Sequence, residues 1–148
     1  MNMSTEVRAS YTDSFRHSFD PKGRITVPAE WRQPSFETSL FVLPSSDRCL
    51  KVYPASWLGR LQEQVSRLKT ADPMRKGVED LAMTAQNATF DTQGRIMVKE
   101  KLREGAGIKK DAVLVGRLDH FQIWDKAVWE KKAASTMTVE EALSAIGL

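Results

Sequence analysis

Reactive side chains are scarce in this chain of 148 residues: it holds one cysteine and two histidines. Cys49 alone excludes an intrachain disulfide, and with only His17 and His120 beside it a four-ligand zinc site has little to draw on. Long apolar runs are also missing, since no stretch approaches the roughly 18 to 20 residues that a membrane span requires. Residues 1–10, MNMSTEVRAS, lack the apolar segment of an export signal and read as a flexible polar lead. These absences point to a cytoplasmic protein. Charge of one sign is modest, with 22 Lys+Arg against 19 Asp+Glu. A net charge of +3 and a pI of 9.1 therefore do not identify a nucleic-acid binder by themselves. At 41% hydrophobic and 28% charged, the composition is that of an ordinary globular chain, either one domain or two small halves sharing a core. If this protein grips an acid, its positive charge must be arranged locally.

What the chain does contain is a duplication. FDPKGRITV at 19–27 returns as FDTQGRIMV at 90–98, a shift of 71 positions from Phe19 to Phe90. The same shift superposes Asp20 on Asp91, Gly23 on Gly94, Arg24 on Arg95, Ile25 on Ile96, Val27 on Val98 and Arg32 on Arg103. Continued without a gap, it pairs Val42 and Leu43 with Val113 and Leu114, and LKVY at 50–53 with FQIW at 121–124. Two copies of one unit are therefore expected.

Each copy opens with alternating apolar and polar residues, crosses an Asp-x-x-Gly-Arg turn and resumes as a short β-rich run. Pro28 suits the first position of a short helix, PAEWRQ, matched by KEKLRE at 99–104. Two further strands follow in each copy, LFVL with LKVY and AVLV with FQIW. Four short strands and a helical turn are too little to bury a core alone, so the copies should pack on each other. Between them, PASWLGRLQEQVSRLKT places Trp57, Leu58, Leu61, Val65 and Leu68 at helical spacing. Asp72 and Pro73 then read as the N-cap and first position of a second helix, PMRKGVEDLAM, with Gly77 weakening its middle. Asp125 caps KAVWEKKAA, and Thr138 with Glu141 forms a capping box for a last short helix that Gly147 ends. The expected layout is a lead at 1–10, repeats at 11–53 and 85–134, connecting helices at 54–84 and a C-terminal helix at 135–148.

The turn has a physical explanation. Gly enters positive φ without steric cost, and Asp at the head bonds its own backbone two residues on. Two roles are open to the Arg: pairing with the Asp four residues back, or leaving a rigid tip to meet a phosphate or base edge. The copies differ here. Pro21 and Lys22 occupy the first turn with Arg16 just upstream, whereas Thr92, Gln93 and Asn87 stand at the matching places of the second. The first tip is the cationic one, so it is the expected contact for an anionic polymer.

With Tyr11, the first motif, ITVPAEWR, YPASWLGRLQEQVSRL, DPMRKGVEDLAMTA, DTQGRIMV and LVGRLDHFQIWDKAVWE in view, residues 11 to 134 resemble the MraZ family of bacterial transcriptional regulators. The resemblance implies an α+β chain: a tandem-duplicated, swapped-hairpin SpoVT/AbrB-like β-barrel core with peripheral helices, assembled into a homo-oligomeric ring. It further implies a nucleoid-associated protein that binds direct repeats in double-stranded DNA, usually repressing its own division and cell-wall operon. The family's DNA-contact loop falls on Asp20, Lys22, Gly23 and Arg24, and its second motif falls on Asp91, Gly94 and Arg95 as structural or auxiliary residues. Arg24 is then the expected reader of guanine, with Lys22 and Arg16 on phosphates. This chain has Pro21 where the family often has a small or acidic residue, and Asp13 where the family has Gly. Burial of Arg24 against Asp20 without any basic rim facing solvent would count against the mechanism.

Other constellations weigh less. Cys49 with His17 or His120 as nucleophile and base lacks any accompanying catalytic signature, and one Cys in a strand is usually a small core residue. No enzymatic activity, cofactor, metal or small-molecule substrate is expected. Trp31, Trp57, Trp124 and Trp129 stand at anchor positions and read as core or subunit-contact residues. Lys109-Lys110 and Lys131-Lys132 read as solvated faces. The alternative function is a protein-interaction module that acts on another cytoplasmic factor and binds DNA weakly without preference. An antitoxin-like module is disfavoured, since the C-terminal segment is capped and apolar instead of a disordered wrapping tail.

Overall fold

The computed structural model describes residues 9–132 and 137–148. Two apolar–polar runs bracket each turn, and they form β1 (Ser14–Ser18) with β2 (Arg24–Thr26), and β5 (Gln86–Thr89) with β6 (Arg95–Met97). β3 (Ser39–Pro44) and β4 (Leu50–Pro54), and β7 (Asp111–Gly116) and β8 (Phe121–Asp125), are the two further strands expected after each turn. All ladders are antiparallel. Six strands make one sheet in the order β1-β7-β8-β4-β3-β5, and β2 pairs with β6 separately.

The order shows how the repeats interlock. β1 of the first repeat lies on β7 of the second, and β5 of the second lies on β3 of the first. In two ladders a residue faces its own counterpart: Ile25 pairs with Ile96, and Lys51 with Gln122. Antiparallel pairing of equivalent residues relates the copies by a local two-fold. The α+β class is observed, while the ladders run in an open order ending at β1 and β5 instead of closing a barrel by hydrogen bonds.

One expectation is corrected. β3 and β7 correspond by 72 positions, Ser39 to Asp111 and Pro44 to Gly116, so Val42 matches Leu114 and not Val113. The shift returns to 71 at β4 and β8, where Leu50 matches Phe121. The reason is the pleat, since a slip of one residue turns every side chain to the opposite face. Leu40, Val42, Ala112 and Leu114 enter the main core, whereas Val113 and Val115 join Cys49 and Trp124 in a second cluster.

The main core also takes Ile25, Val27, Ile96 and Val98, which are all fully buried. Around Trp31 an aromatic group closes one end: Tyr11 and Phe15 meet its ring edge-on at 5.6 and 5.2 Å, and Phe121 lies at 4.9 Å. Trp31 Nε1 donates to the Thr12 carbonyl at 3.1 Å, so the indole stays paired despite burial. Asp13, next to this carbonyl, stands at φ 74°. That left-handed conformation is one Gly adopts without steric cost, and Asp tolerates it better than most other residues.

Three of the helices begin at a side-chain cap. The segment after Pro28 is a single 3-10 turn, Ala29–Trp31, while its counterpart α3 (Glu100–Gly105) is α-helical. α1 (Ala55–Ser66) and α2 (Pro73–Thr84) join the repeats; the Asp72 side chain accepts from Met74 N as the cap of α2. Neither helix buries a residue fully. α4 (Lys126–Lys131) is capped by Asp125 and stops before the expected end, with Ala133 and Ala134 outside the described residues. α5 (Val139–Ala145) carries both bonds of the Thr138–Glu141 capping box, and Gly147 follows at φ 88°.

Candidate nucleic-acid interface

Both Asp-x-x-Gly-Arg segments fold into the same turn. Gly23 N donates to the Asp20 carbonyl at 2.9 Å and Gly94 N to the Asp91 carbonyl at 3.1 Å. Each Gly has positive φ, 81° and 76°. Asp20 Oδ1 accepts from Lys22 N and Arg24 N at 3.0 and 2.8 Å, and its Oδ2 accepts from Arg24 Nε at 2.6 Å. Asp91 repeats the pattern with Gln93 N and Arg95 N, both 2.9 Å, and Arg95 Nε at 2.8 Å. Main-chain N–H donation from Arg24, aided by its guanidinium, holds the Asp20 carboxyl below its ordinary range. Arg95 does the same for Asp91. The motifs also touch: Arg95 Nη1 comes within 3.8 Å of Asp20 Oδ2.

Of the two roles open to the arginines, pairing with the Asp four residues back is therefore observed in both repeats. Arg24 is engaged through Nε, and its side chain is 33% exposed. Its terminal amino groups have no hydrogen-bond partner among the described residues, so they remain available.

The surroundings of the two tips differ in charge. Lys22 and Arg16 are exposed at the first. At the second, Gln93 and Asn87 are neutral, and Asn87 Oδ1 accepts from Ser39 Oγ at 3.2 Å. The β1–β7 ladder adds more. Phe19 N donates to the Lys110 carbonyl at 2.9 Å, and Ser18 Oγ donates to Asp111 Oδ1 at 2.7 Å. The exposed pair Lys109-Lys110 thus lies beside the strand that enters the first turn, not on a remote face. With the corrected register, Glu37 and Thr38 hold the matching places ahead of β3. At these four matched positions the first end has four cations where the second has one acid and three neutral residues. Both lysines are exposed, as read from the sequence, and the interlocked pairing alone brings them beside the first turn, since they belong to the other repeat.

The remaining candidates stay apart. Cys49 is fully buried, its Sγ 3.3 Å from Ser45 Oγ, and burial pushes the thiol up. His120 stacks on Tyr53 at 4.4 Å and contacts Asp119 at 2.7 Å. Burial lowers the pKa of His17, a half-buried residue of β1. Among the described residues, no group of three His, Cys, Asp or Glu is arranged to hold a metal ion, and no helix is long and apolar enough to cross a membrane.

Comparison with known sequences matches residues 11–79 and 81–144 to a family described as "MraZ protein, putative antitoxin-like". The chain belongs to the MraZ family. Among its relatives, "Transcriptional regulator MraZ" of Corynebacterium urealyticum is 35% identical over 123 residues, 82% of this chain and 85% of that protein. The regulator of the same name from Pediococcus pentosaceus is 35% identical over 127 residues, covering 85% and 88%. That of Corynebacterium jeikeium is 37% identical over 122 residues, covering 82% and 85%. The MraZ match takes in both turns and the connecting helices, so it supports the family through the whole architecture rather than through one motif.

Proposed function

We propose that this chain is a sequence-specific DNA-binding transcriptional regulator that acts on its own promoter, most simply as a repressor. The observation that carries the reading is the charge difference between two turns of identical geometry. Asp20 and Gly23 make a stiff tip, Lys22 and Arg16 stand exposed around it, and the second tip lacks those charges. A duplicated turn needed for folding alone has no use for that asymmetry. The relatives' names agree with a regulatory role.

In this reading Arg24 serves both ends. Its Nε is fixed by Asp20 at 2.6 Å, which orients the guanidinium, and the terminal amino groups form the fork that meets guanine O6 and N7. Lys22 and Arg16 meet phosphates and set the register on the duplex. A single tip supplies a small part of the roughly 4 to 10 kcal/mol that separates specific from non-specific binding. A swapped-hairpin, AbrB-like subunit repeated around a ring would present many tips, so direct repeats are engaged together at high effective concentration.

Binding to the promoter upstream of the chain's own reading frame, against a shuffled duplex, tests this reading. Arg24→Ala should lose about 1 to 3 kcal/mol per engaged repeat on the promoter, and Lys22→Ala should weaken both duplexes alike. Sedimentation gives the assembly state in the same buffer. Equal binding by wild type and Arg24→Ala ends the proposal. Weak, unselective binding by the wild type favours the alternative, a module acting through protein contacts.

A further inference from the structure

The geometry points to a two-repeat DNA interface: Lys109 and Lys110, from the second repeat, contact backbone phosphates beside the first-repeat tip of Arg16 and Lys22. This deepens the proposed function and rests on it. The placement follows from backbone pairing. Ser18 faces Asp111 in the β1–β7 ladder, and the next residue, Phe19, donates to the Lys110 carbonyl at 2.9 Å. Asp20, which heads the turn, follows Phe19 directly. The lysine pair therefore stands against the last residues before the tip, although some 90 positions separate them in the chain.

Three carboxylates lie nearby, and each is held by a group other than the side chain of either lysine. Asp111 Oδ1 accepts from Ser18 Oγ at 2.7 Å. Asp125 Oδ1 takes Lys109 N at 3.1 Å, and its Oδ2 takes Val128 N at 3.4 Å as the cap of α4. Glu130 lies 4.0 Å from Arg16 across exposed surface, a contact that costs little to exchange for a phosphate. Both lysines are exposed and neither has a carboxylate within ion-pair distance among the described residues. The matching positions ahead of β3 hold Glu37 and Thr38, and Glu37 accepts from Ser56 N at 2.8 Å. The local two-fold thus repeats the backbone and leaves the charge on one end.

Lysine is suited to this task as a point charge that follows phosphates and carries no base information. The prediction is a sequence-independent loss. The full-length chain is titrated with its promoter duplex and with a shuffled duplex from about 0.05 to 0.3 M salt, and the slope of log affinity against log salt is read. Lys109→Ala/Lys110→Ala should make the slope shallower by about 1.8 per engaged copy, roughly 0.9 per phosphate, on both duplexes. Affinity near 0.15 M salt should fall by about tenfold or more. Lys109→Arg/Lys110→Arg keeps the charge and should return the wild-type slope, which separates charge loss from misfolding. Lys69→Ala/Lys76→Ala on the connecting helices removes the same charge and should leave the slope unchanged.

A wild-type slope in the alanine pair, with a shallower slope in Lys22→Ala, overturns the two-repeat interface and leaves the proposed function standing. Failure of the wild type to bind either duplex overturns both. Equal flattening by the Lys69 and Lys76 control reduces the effect to net charge and also overturns the inference.

Discussion

Arg32 of the first repeat occupies the space that a side chain on Gly94 of the second would need, its guanidinium carbon 2.5 Å from where a Cβ would stand. Arg103 does the same at Gly23, with Nη2 at 2.8 Å. Each arginine is fixed by its own repeat: Arg32 Nε donates to the Val27 carbonyl at 2.8 Å and Arg103 Nε to the Val98 carbonyl at 3.0 Å. Val27 N then donates to the Gly94 carbonyl, and Val98 N to that of Gly23, at 3.0 and 2.9 Å. Arg103 also lies 5.7 Å above the Phe19 ring. The turn glycines are thus the points at which the repeats lock together, as well as residues of positive φ.

Gly94→Ala and Gly23→Ala should each destabilise the fold by about 1 to 2 kcal/mol from backbone conformation alone, with a further loss from displacing the arginine. Denaturant midpoints measure it. In an Arg32→Ala background Gly94→Ala should cost less, and strict additivity in that double-mutant cycle would refute the lock.

Acid should weaken the turns. The Asp20 and Asp91 carboxyls titrate below their ordinary value of 3.8, because main-chain N–H groups and guanidinium groups favour the charged form. That contribution is fully present above the ordinary value, shrinks below it and is gone once pH falls past the folded-state pKa. Asp20→Asn/Asp91→Asn should be less stable at neutral pH and should show a flatter decline between pH 5 and the acid limit. Parallel acid limbs for wild type and variant would contradict this.

Alkali should act through Tyr11. Burial, with Glu37 adding to it, pushes its hydroxyl up to about 12 from 10. The neutral form is the one the fold keeps, so stability is intact below pH 10 and is lost as pH rises through 12. The loss amounts to about 2 to 3 kcal/mol, at roughly 1.4 kcal/mol per unit. Tyr11→Phe should remove that part of the alkaline slope in urea unfolding followed by circular dichroism.

Gln86 should matter for stability in proportion to two backbone groups. Its Nε2 donates to the Met97 carbonyl at 2.7 Å, and its Oε1 accepts from Lys99 N at 2.9 Å, at a site 5% exposed. Gln86→Leu leaves both groups unpaired and should cost about 1 to 3 kcal/mol for each that stays dry. Loss below 0.5 kcal/mol, roughly the effect of a surface change, would show that water replaces the amide.

Much of this was legible in the residues. The 71-position repeat, the positive-φ glycines, the Asp-to-Arg pairing and the caps at Asp72, Asp125 and Thr138 all follow from local chemistry acting within a few residues. The φ of 74° at Asp13 is of the same local kind, since Asp tolerates the left-handed region better than most residues. The ungapped match of β3 to β7 went wrong because Val and Leu fill both faces there. Composition along such a strand does not reveal which face is inward.

The sequence by itself determined two copies of one turn, alike in backbone and unlike in charge, since proline, glycine, aspartate and arginine act on their immediate neighbours. The tertiary structure alone decided which distant segments share an end. Pairing β1 with β7 places Lys109 and Lys110 beside Phe19 and Asp20, and pairing β5 with β3 puts Glu37 and Thr38 ahead of the strand that β5 joins. Strand pairing is a non-local choice, made by which register buries Leu40, Val42, Ala112 and Leu114 together, and no local pattern records it.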